Sequence, residues 1–222
     1  MKLEEILKLC DHTVLSPAAT WEQIRTAIDD AIAFTTTSVC IPPSFVKRAH
    51  EYAAGKTSIC TVIGFPNGYS KTDVKVFEAK EAALDGADEI DMVINIGMLK
   101  DGNYEAILNE INEIKTAVGE KILKVIIEAC LLTDEEKLKM CEIVSKSDAD
   151  FIKTSTGFST SGANRHDVDL LCRNMKNGKR VKAAGGIASC EDAECFINLG
   201  AQRLGTSRIV GLAKKENGKS DY

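Results

Sequence analysis

The sequence has no apolar run approaching the ~20 residues that span a bilayer. Its start, MKLEEILKLC, places Glu4 and Glu5 where a secretory leader needs apolar residues. A soluble, cytoplasmic protein with no membrane partner is expected. There is no Cys-x-x-Cys pair and no His-Glu-x-x-His spacing, and the histidines His12, His50 and His166 lie far apart, so no dedicated metal site is expected. The eight cysteines (Cys10, Cys40, Cys60, Cys130, Cys141, Cys172, Cys190, Cys195) are dispersed, which reads as reduced thiols rather than a disulfide framework. With only 4 prolines and 16 glycines in 222 residues, low-complexity and collagenous chains are excluded. Basic blocks are also missing apart from Lys214-Lys215. A net charge of -5 would repel a phosphate backbone, so nucleic acid is not an expected partner. The absence of a Gly-x-Ser-x-Gly elbow removes the support for a Ser-His-Asp hydrolase.

What is present is a repeat of short Val- and Ile-rich runs separated by longer amphipathic stretches. The runs are Cys10 to Val14, Thr37 to Ile41, Ile59 to Gly64, Glu89 to Asn95, Leu123 to Glu128, Asp150 to Thr154, Arg180 to Ala184 and Gln202 to Thr206. Each is followed by a helical pattern. Ser16-Pro17, Thr133 with Glu136, and Ser189 with Asp192 read as helix starts. Tyr104, Ile107, Leu108, Ile111, Ile114 and Val118 share one helical face. Eight strand-helix units predict an α/β fold, a single-domain parallel (β/α)8 barrel over residues 1–213, with an open doubly wound sheet as the alternative. Residues 214–222 are polar and read as a mobile tail.

Strands covered by helices on one side and barrel interior on the other should be almost wholly apolar. Four are not. Alternation in EIDMVIN puts Asp91, Val93 and Asn95 on the face opposite Met92 and Ile94. By the same parity Lys124, Ile126 and Glu128 of LKVIIEA point inward, as do Lys153 of FIKTST and Lys182 of RVKAAGG. Three lysines and an aspartate thus converge on one lumen. Any one could be a snorkelling side chain or half of a structural ion pair. Clustered cations disfavour one another's charged forms, however. Lowering an amine from ~10.4 to ~7 would raise its neutral, nucleophilic fraction roughly a thousandfold. Schiff-base chemistry needs such an amine.

Barrel chemistry sits at the carboxyl ends of the strands. There the seventh strand runs into Ala184-Gly185-Gly186-Ile187, and the eighth ends in Gly205-Thr206-Ser207-Arg208. Glycine backbone amides and a helix N-terminus suit a phosphate. Gly185, Gly186, Gly205 and Ser207 are the candidate phosphate residues, with Thr156 and Gly157 able to donate to the same ligand. On the first strand, Asp11 and Thr13 share a face that can reach the lumen, opposite His12.

The motifs LCDHTVL, SVCIPPSFV, VIGFPNG, GADEIDMVINIG, LKVIIEACLLT, DFIKTSTGFS, VKAAGGI and LGTS, in this order from about residue 9 to residue 212, resemble the deoxyribose-phosphate aldolases. The resemblance implies a class I aldolase that reversibly cleaves 2-deoxy-D-ribose 5-phosphate to D-glyceraldehyde 3-phosphate and acetaldehyde, without cofactor or metal. By motif, Lys153 resembles the Schiff-base nucleophile, Lys182 the neighbour that lowers its pKa, Asp91 the proton-relay acid/base and Lys124 a supporting charge. A homodimer is a further expectation. Some family members also end in tyrosine, and about eight extended residues reach on the order of 25 Å, so Tyr222 is expected to enter the site as a transient phenolic acid/base. Asn164-Arg165-His166 departs from the usual family pattern at a helix start. Two other readings stay open: a transaldolase-like Schiff-base enzyme acting on a longer sugar phosphate, and a catalytically silent sugar-phosphate sensor.

Overall fold

The computed structural model describes residues 1–216 and residue 218. Eight parallel strands, β1 (Cys10–Thr13), β2 (Ser38–Ile41), β3 (Ser58–Ile63), β4 (Glu89–Val93), β5 (Ile122–Ile126), β6 (Phe151–Lys153), β7 (Arg180–Ala184) and β8 (Arg203–Thr206), pair in sequence order. β8 pairs back onto β1 and closes the barrel. The helices are α1 (Leu3–Leu7), α2 (Trp21–Ala33), α3 (Val46–Ala53), α4 (Thr72–Leu84), α5 (Ile96–Lys100), α6 (Tyr104–Val118), α7 (Asp134–Lys146), α8 (Arg165–Asn174), α9 (Cys190–Asn198) and α10 (Ile209–Glu216). The predicted (β/α)8 barrel is the fold, and the open sheet is excluded. Among the described residues, no helix is long and apolar enough to cross a membrane.

The apolar core is the layer between strands and helices. Ile90, Met92, Val125 and Ile152 meet Ile107, Ile111 and Ile114 of α6 and Met140 of α7 there. Burying residues of this size contributes about 1.5–3 kcal/mol each relative to exposure, which is why strand parity is so strongly held. The layer also contains one fully buried charge pair, Lys75 of α4 and Glu110 of α6, 2.9 Å apart. Lys75 Nζ donates to the Val93 carbonyl at 2.9 Å, tying α4 to the carboxyl end of β4.

Helix starts follow local hydrogen bonding. Thr133/Glu136 and Ser189/Asp192 form the expected reciprocal caps of α7 and α9. Asn164 caps α8, its Oδ1 accepting from the Asp167 amide at 2.9 Å. Ser16-Pro17 does not start a helix: Thr20 caps α2, with Gln23 completing the reciprocal pair. Ser16 instead closes a turn, its carbonyl accepting from the Ala19 amide and its hydroxyl from that of Ala18. On α6, Ile107, Ile111, Ile114 and Val118 are buried as the spacing predicts, whereas Tyr104 in the first turn is exposed. Strands four and five end earlier than their apolar runs. Asn95 turns out to cap α5, and Glu128 adopts a left-handed backbone, φ 49°, that breaks β5. Residues 214–216 are not tail but the last turn of α10, where Lys214 pairs with Asp30 of α2 at 2.9 Å. Tyr222 lies outside the described residues.

His12 points away from the lumen towards α2. Its Nε2 is 3.8 Å from Asp30, and its Nδ1 has no hydrogen-bond partner among the described residues. Burial lowers its pKa to about 4, against the pull of Asp30. Between that value and about 6.5 the unfolded chain binds a proton that the fold does not, so stability must fall as pH drops through this window. Exchanging His12 for Gln is expected to remove about 2–3 kcal/mol of acid sensitivity between pH 6.5 and 4. Urea unfolding at both pH values would check it; an unchanged difference would contradict the neutral imidazole.

Candidate active site

In-register parallel strands bring their inward side chains to one level. Asp91 is aligned with Lys124, Lys153 with Lys182, and Lys182 with Arg203. The Asp91 carboxylate is the hub. Its Oδ2 accepts from Lys153 Nζ and Lys182 Nζ, each at 2.7 Å, and its Oδ1 from Lys124 Nζ at 2.7 Å. Asp11 reaches the same lumen: its Oδ2 is 2.5 Å from Lys182 Nζ, and Ser38 Oγ and Arg203 donate to its Oδ1. All four residues singled out by strand parity meet here. Asp11 joins them, while Thr13 stands higher and lines the cavity above.

Two charges in the cluster were missed. Glu89 accepts from Lys124 at 2.6 Å and pairs with Arg203. Both could have been found, since Glu89 shares parity with Asp91 and Arg203 with Gly205. The count matters. Lys124, Lys153, Lys182 and Arg203 face Asp11, Glu89 and Asp91, so the described cluster carries one positive charge in excess rather than three clustered cations against one aspartate. Burial alone would lower the Lys182 pKa, but Asp11 and Asp91 hold it well above its ordinary value. Lys124 is raised in the same way, burial being outweighed by Asp91. For Lys124 and Lys182 the expectation that clustering depresses a lysine is thus corrected, because carboxylates interleave with them. Burial would raise the Asp91 carboxyl, but Lys124, Lys153 and Lys182 keep it well below the usual carboxylate range.

Above the cluster a cavity of about 630 Å³ opens at the carboxyl ends of the strands. Lys153 is the one lysine of the three that lines it, with Thr13, Thr156, Gly157, Gly185, Gly186, Gly205 and Ser207. Every candidate phosphate residue therefore borders the same space as the candidate nucleophile. Arg208, not singled out before, adds a cation to this wall. Gly185 and Gly186 both have left-handed backbones, φ 77° and 75°, as an amide-lined turn requires. Gly205 is needed for another reason: a Cβ there would sit 3.2 Å from Lys182 Cε and 2.9 Å from Ala184 Cβ. Among the described residues no group accepts from the amides of Gly186 or Ser207. The start of α9 offers less than expected, because Asp192 Oδ2 already accepts from the Ala188 and Ser189 amides and Ser189 Oγ from that of Asp192. Glu128 supports the opposite rim by accepting from the Thr156 amide at 3.2 Å and from its hydroxyl.

Buried lysines on adjacent barrel strands below an open, glycine-lined cavity fit carbonyl chemistry on a phosphorylated substrate. Comparison with known proteins agrees, since the profile of the DeoC/LacD family aldolases matches residues 5–205. The chain belongs to this aldolase family. It is 56% identical, over all of its length and 99% of the relative's, to the deoxyribose-phosphate aldolase of Streptococcus pyogenes serotype M4 (strain MGAS10750). Among solved structures it resembles the aldolase QR15, with a TM-score of 0.92 and 38% identity over 97% of each chain. It also resembles the tetrameric deoxyribose phosphate aldolase from Aeropyrum pernix, with a TM-score of 0.87 and 30% identity, covering 99% of this chain and 94% of that one. The motifs behind the resemblance now have places in the aldolase: GADEIDMV carries Glu89 and Asp91, FIKTSTGF carries Lys153 and the Thr156-Gly157 rim, and VKAAGG carries Lys182 and the turn that borders the cavity.

Proposed function

We propose that this aldolase reversibly cleaves 2-deoxy-D-ribose 5-phosphate to D-glyceraldehyde 3-phosphate and acetaldehyde, with Lys153 as the Schiff-base nucleophile. The observation that carries the reading is the position of Lys153, which donates to a buried carboxylate at 2.7 Å and lines the cavity bordered by the glycine-containing turns after β7 and β8. Lys124 and Lys182, by contrast, are held in the protonated form by the carboxylates around them. In this reading Asp91, whose Oδ2 accepts from Lys153, serves as the proton relay.

Neutral Lys153 adds to the C1 aldehyde of the open-chain sugar, and the carbinolamine loses its hydroxyl as water with a proton returned through Asp91. In the iminium the C2–C3 pair has an electron sink. Removal of the C3 hydroxyl proton then breaks that bond, leaving an enamine on Lys153 and releasing glyceraldehyde 3-phosphate. Protonation of the enamine carbon and addition of water free acetaldehyde and restore the amine. In this reading the amides of Gly186 and Ser207, with Arg208, hold the phosphate, and all three residues line the cavity. Thr156 and Gly157 frame the opposite wall.

Borohydride with acetaldehyde should leave an ethyl group on Lys153, located by peptide mass mapping. Labelling confined to another lysine would reject the assignment, and a donor longer than acetaldehyde being required would favour the transaldolase-like reading. Ser207→Glu should raise KM for the phosphorylated sugar and spare cleavage of unphosphorylated deoxyribose, because a carboxylate beside the anion adds repulsion. Equal losses on both substrates would contradict the phosphate site.

A cytoplasmic homodimer completes the proposal. The exposed apolar residues Val74, Phe77 and Leu84 of α4, with Tyr69 just before it, support self-association. Sedimentation showing a monomer at micromolar concentration would remove the dimer.

A further inference from the structure

Two cysteines occupy the lumen beside the catalytic carboxylate, and the aldol reaction uses neither. Cys40 of β2 and Cys60 of β3 are aligned across the parallel ladder, and both are fully buried. Their sulfurs and an Asp91 carboxylate oxygen all lie within 4.8 Å of one another. Cys60 Sγ donates to Asp91 Oδ1 at 3.4 Å. We propose that Cys40, Cys60 and Asp91 form an inhibitory binding site for a thiophilic divalent cation of the zinc and cadmium class.

The donor set fits such an ion. Two thiolates and one carboxylate are the ligands that soft and borderline d10 cations take, and ligands about 2.0–2.3 Å from a tetrahedral ion lie about 3.3–3.8 Å from each other. Small shifts of side chains already in place meet that spacing. No motif spacing announces the site, since Cys40 and Cys60 come from different strands and the register alone brings them together.

Charge balance favours the exchange. Each thiol loses its proton when its sulfur binds the metal, so two protons leave as a dication enters and the charge of the buried cluster is unchanged. No lysine need be expelled to balance charge: Lys124, which donates to Cys60 Sγ at 3.3 Å, can remain a donor to the metal-bound sulfur. A neighbouring set of Cys60, Asp11 and Glu89 offers only one sulfur. Entry is short. Leu15 and Phe65 pack against the Cys40, Cys60 and Val62 cluster, and Leu15 also lines the cavity. An ion bound to Asp91 would take the carboxylate out of proton transfer.

Cadmium chloride, titrated into the reduced full-length enzyme under anaerobic conditions, would test the site. The expected result is a thiolate-to-cadmium ultraviolet band that saturates at one equivalent, with a proton released from each thiol and activity falling along the same curve. A chelator should restore the activity. Cys40→Ala and Cys60→Ala should each raise the cadmium concentration needed by at least the roughly 10–100-fold that even an outer partner of a metal site contributes. Cys60→Ser, which keeps a donor to Asp91, should weaken cadmium likewise and guards against a folding defect in the alanine variant. No band at one equivalent, or a band and inhibition that survive both alanine variants, would overturn the proposal and place the ion on the more exposed Cys130, Cys172, Cys190 or Cys195. The band and the proton count are read without turnover, so they test the site even if the proposed aldol reaction fails.

Discussion

Replacing Lys153 by Met is expected to lower turnover by roughly 10⁴-fold or more, with borohydride trapping lost in parallel. The size follows from the proposed mechanism, in which the carbonyl has no covalent electron sink without an amine at this position and no other lysine substitutes. Lys124 and Lys182 are wholly enclosed and held protonated by the carboxylates around them. The fold should survive. Asp91 keeps Lys124 and Lys182 as partners, and Met fills much the same volume. Steady-state rates with the purified variant, beside its thermal unfolding, would decide the matter. Residual trapping at Lys124 or Lys182 would show that a second amine reaches the cavity and would refute the geometric argument.

Lys182→Met is the second large effect, expected to reduce turnover by roughly 10²–10⁴-fold with little change in phosphate affinity. Lys182 shares Asp91 Oδ2 with Lys153 and pairs with Asp11. Removing it takes away the cluster's excess positive charge, so if Lys153 is the proposed nucleophile the acidic limb of Schiff-base formation is expected to move to higher pH. It also leaves Asp11 to Arg203, Ser38 and the more distant Lys124, at a cost to stability that unfolding measurements would show separately. The discriminating observation is the pH profile. A slower enzyme whose acidic limb has not moved would mean that Lys182 acts only as structural support.

Much of this molecule is legible in its sequence. The barrel follows from eight Val- and Ile-rich runs alternating with amphipathic stretches, because a parallel strand with two covered faces tolerates little else. The same physics identified Asp91, Lys124, Lys153 and Lys182: a charge inside such a strand is costly unless paired, so its presence marks the lumen. Chain ends of elements were less legible. Apolar character ran past Val93 and Ile126, where hydrogen bonding by Asn95 and the left-handed turn at Glu128 ended the strands. Ser16-Pro17 looked like a helix start, but Thr20 and Gln23 offered the better reciprocal cap four residues later.

By itself, then, the sequence determined which faces of which strands are buried and which residues break the apolar rule, since side-chain alternation is a local property of the backbone. Only the closed barrel decided how those residues share charge. Register across β3, β4, β5, β6, β7 and β8 put Glu89 and Arg203 into the cluster, turned an apparent group of repelling lysines into a nearly balanced network, and left Lys153 alone of the three facing the cavity. Coulomb energy depends on distances between residues far apart in the chain. No local pattern carries them.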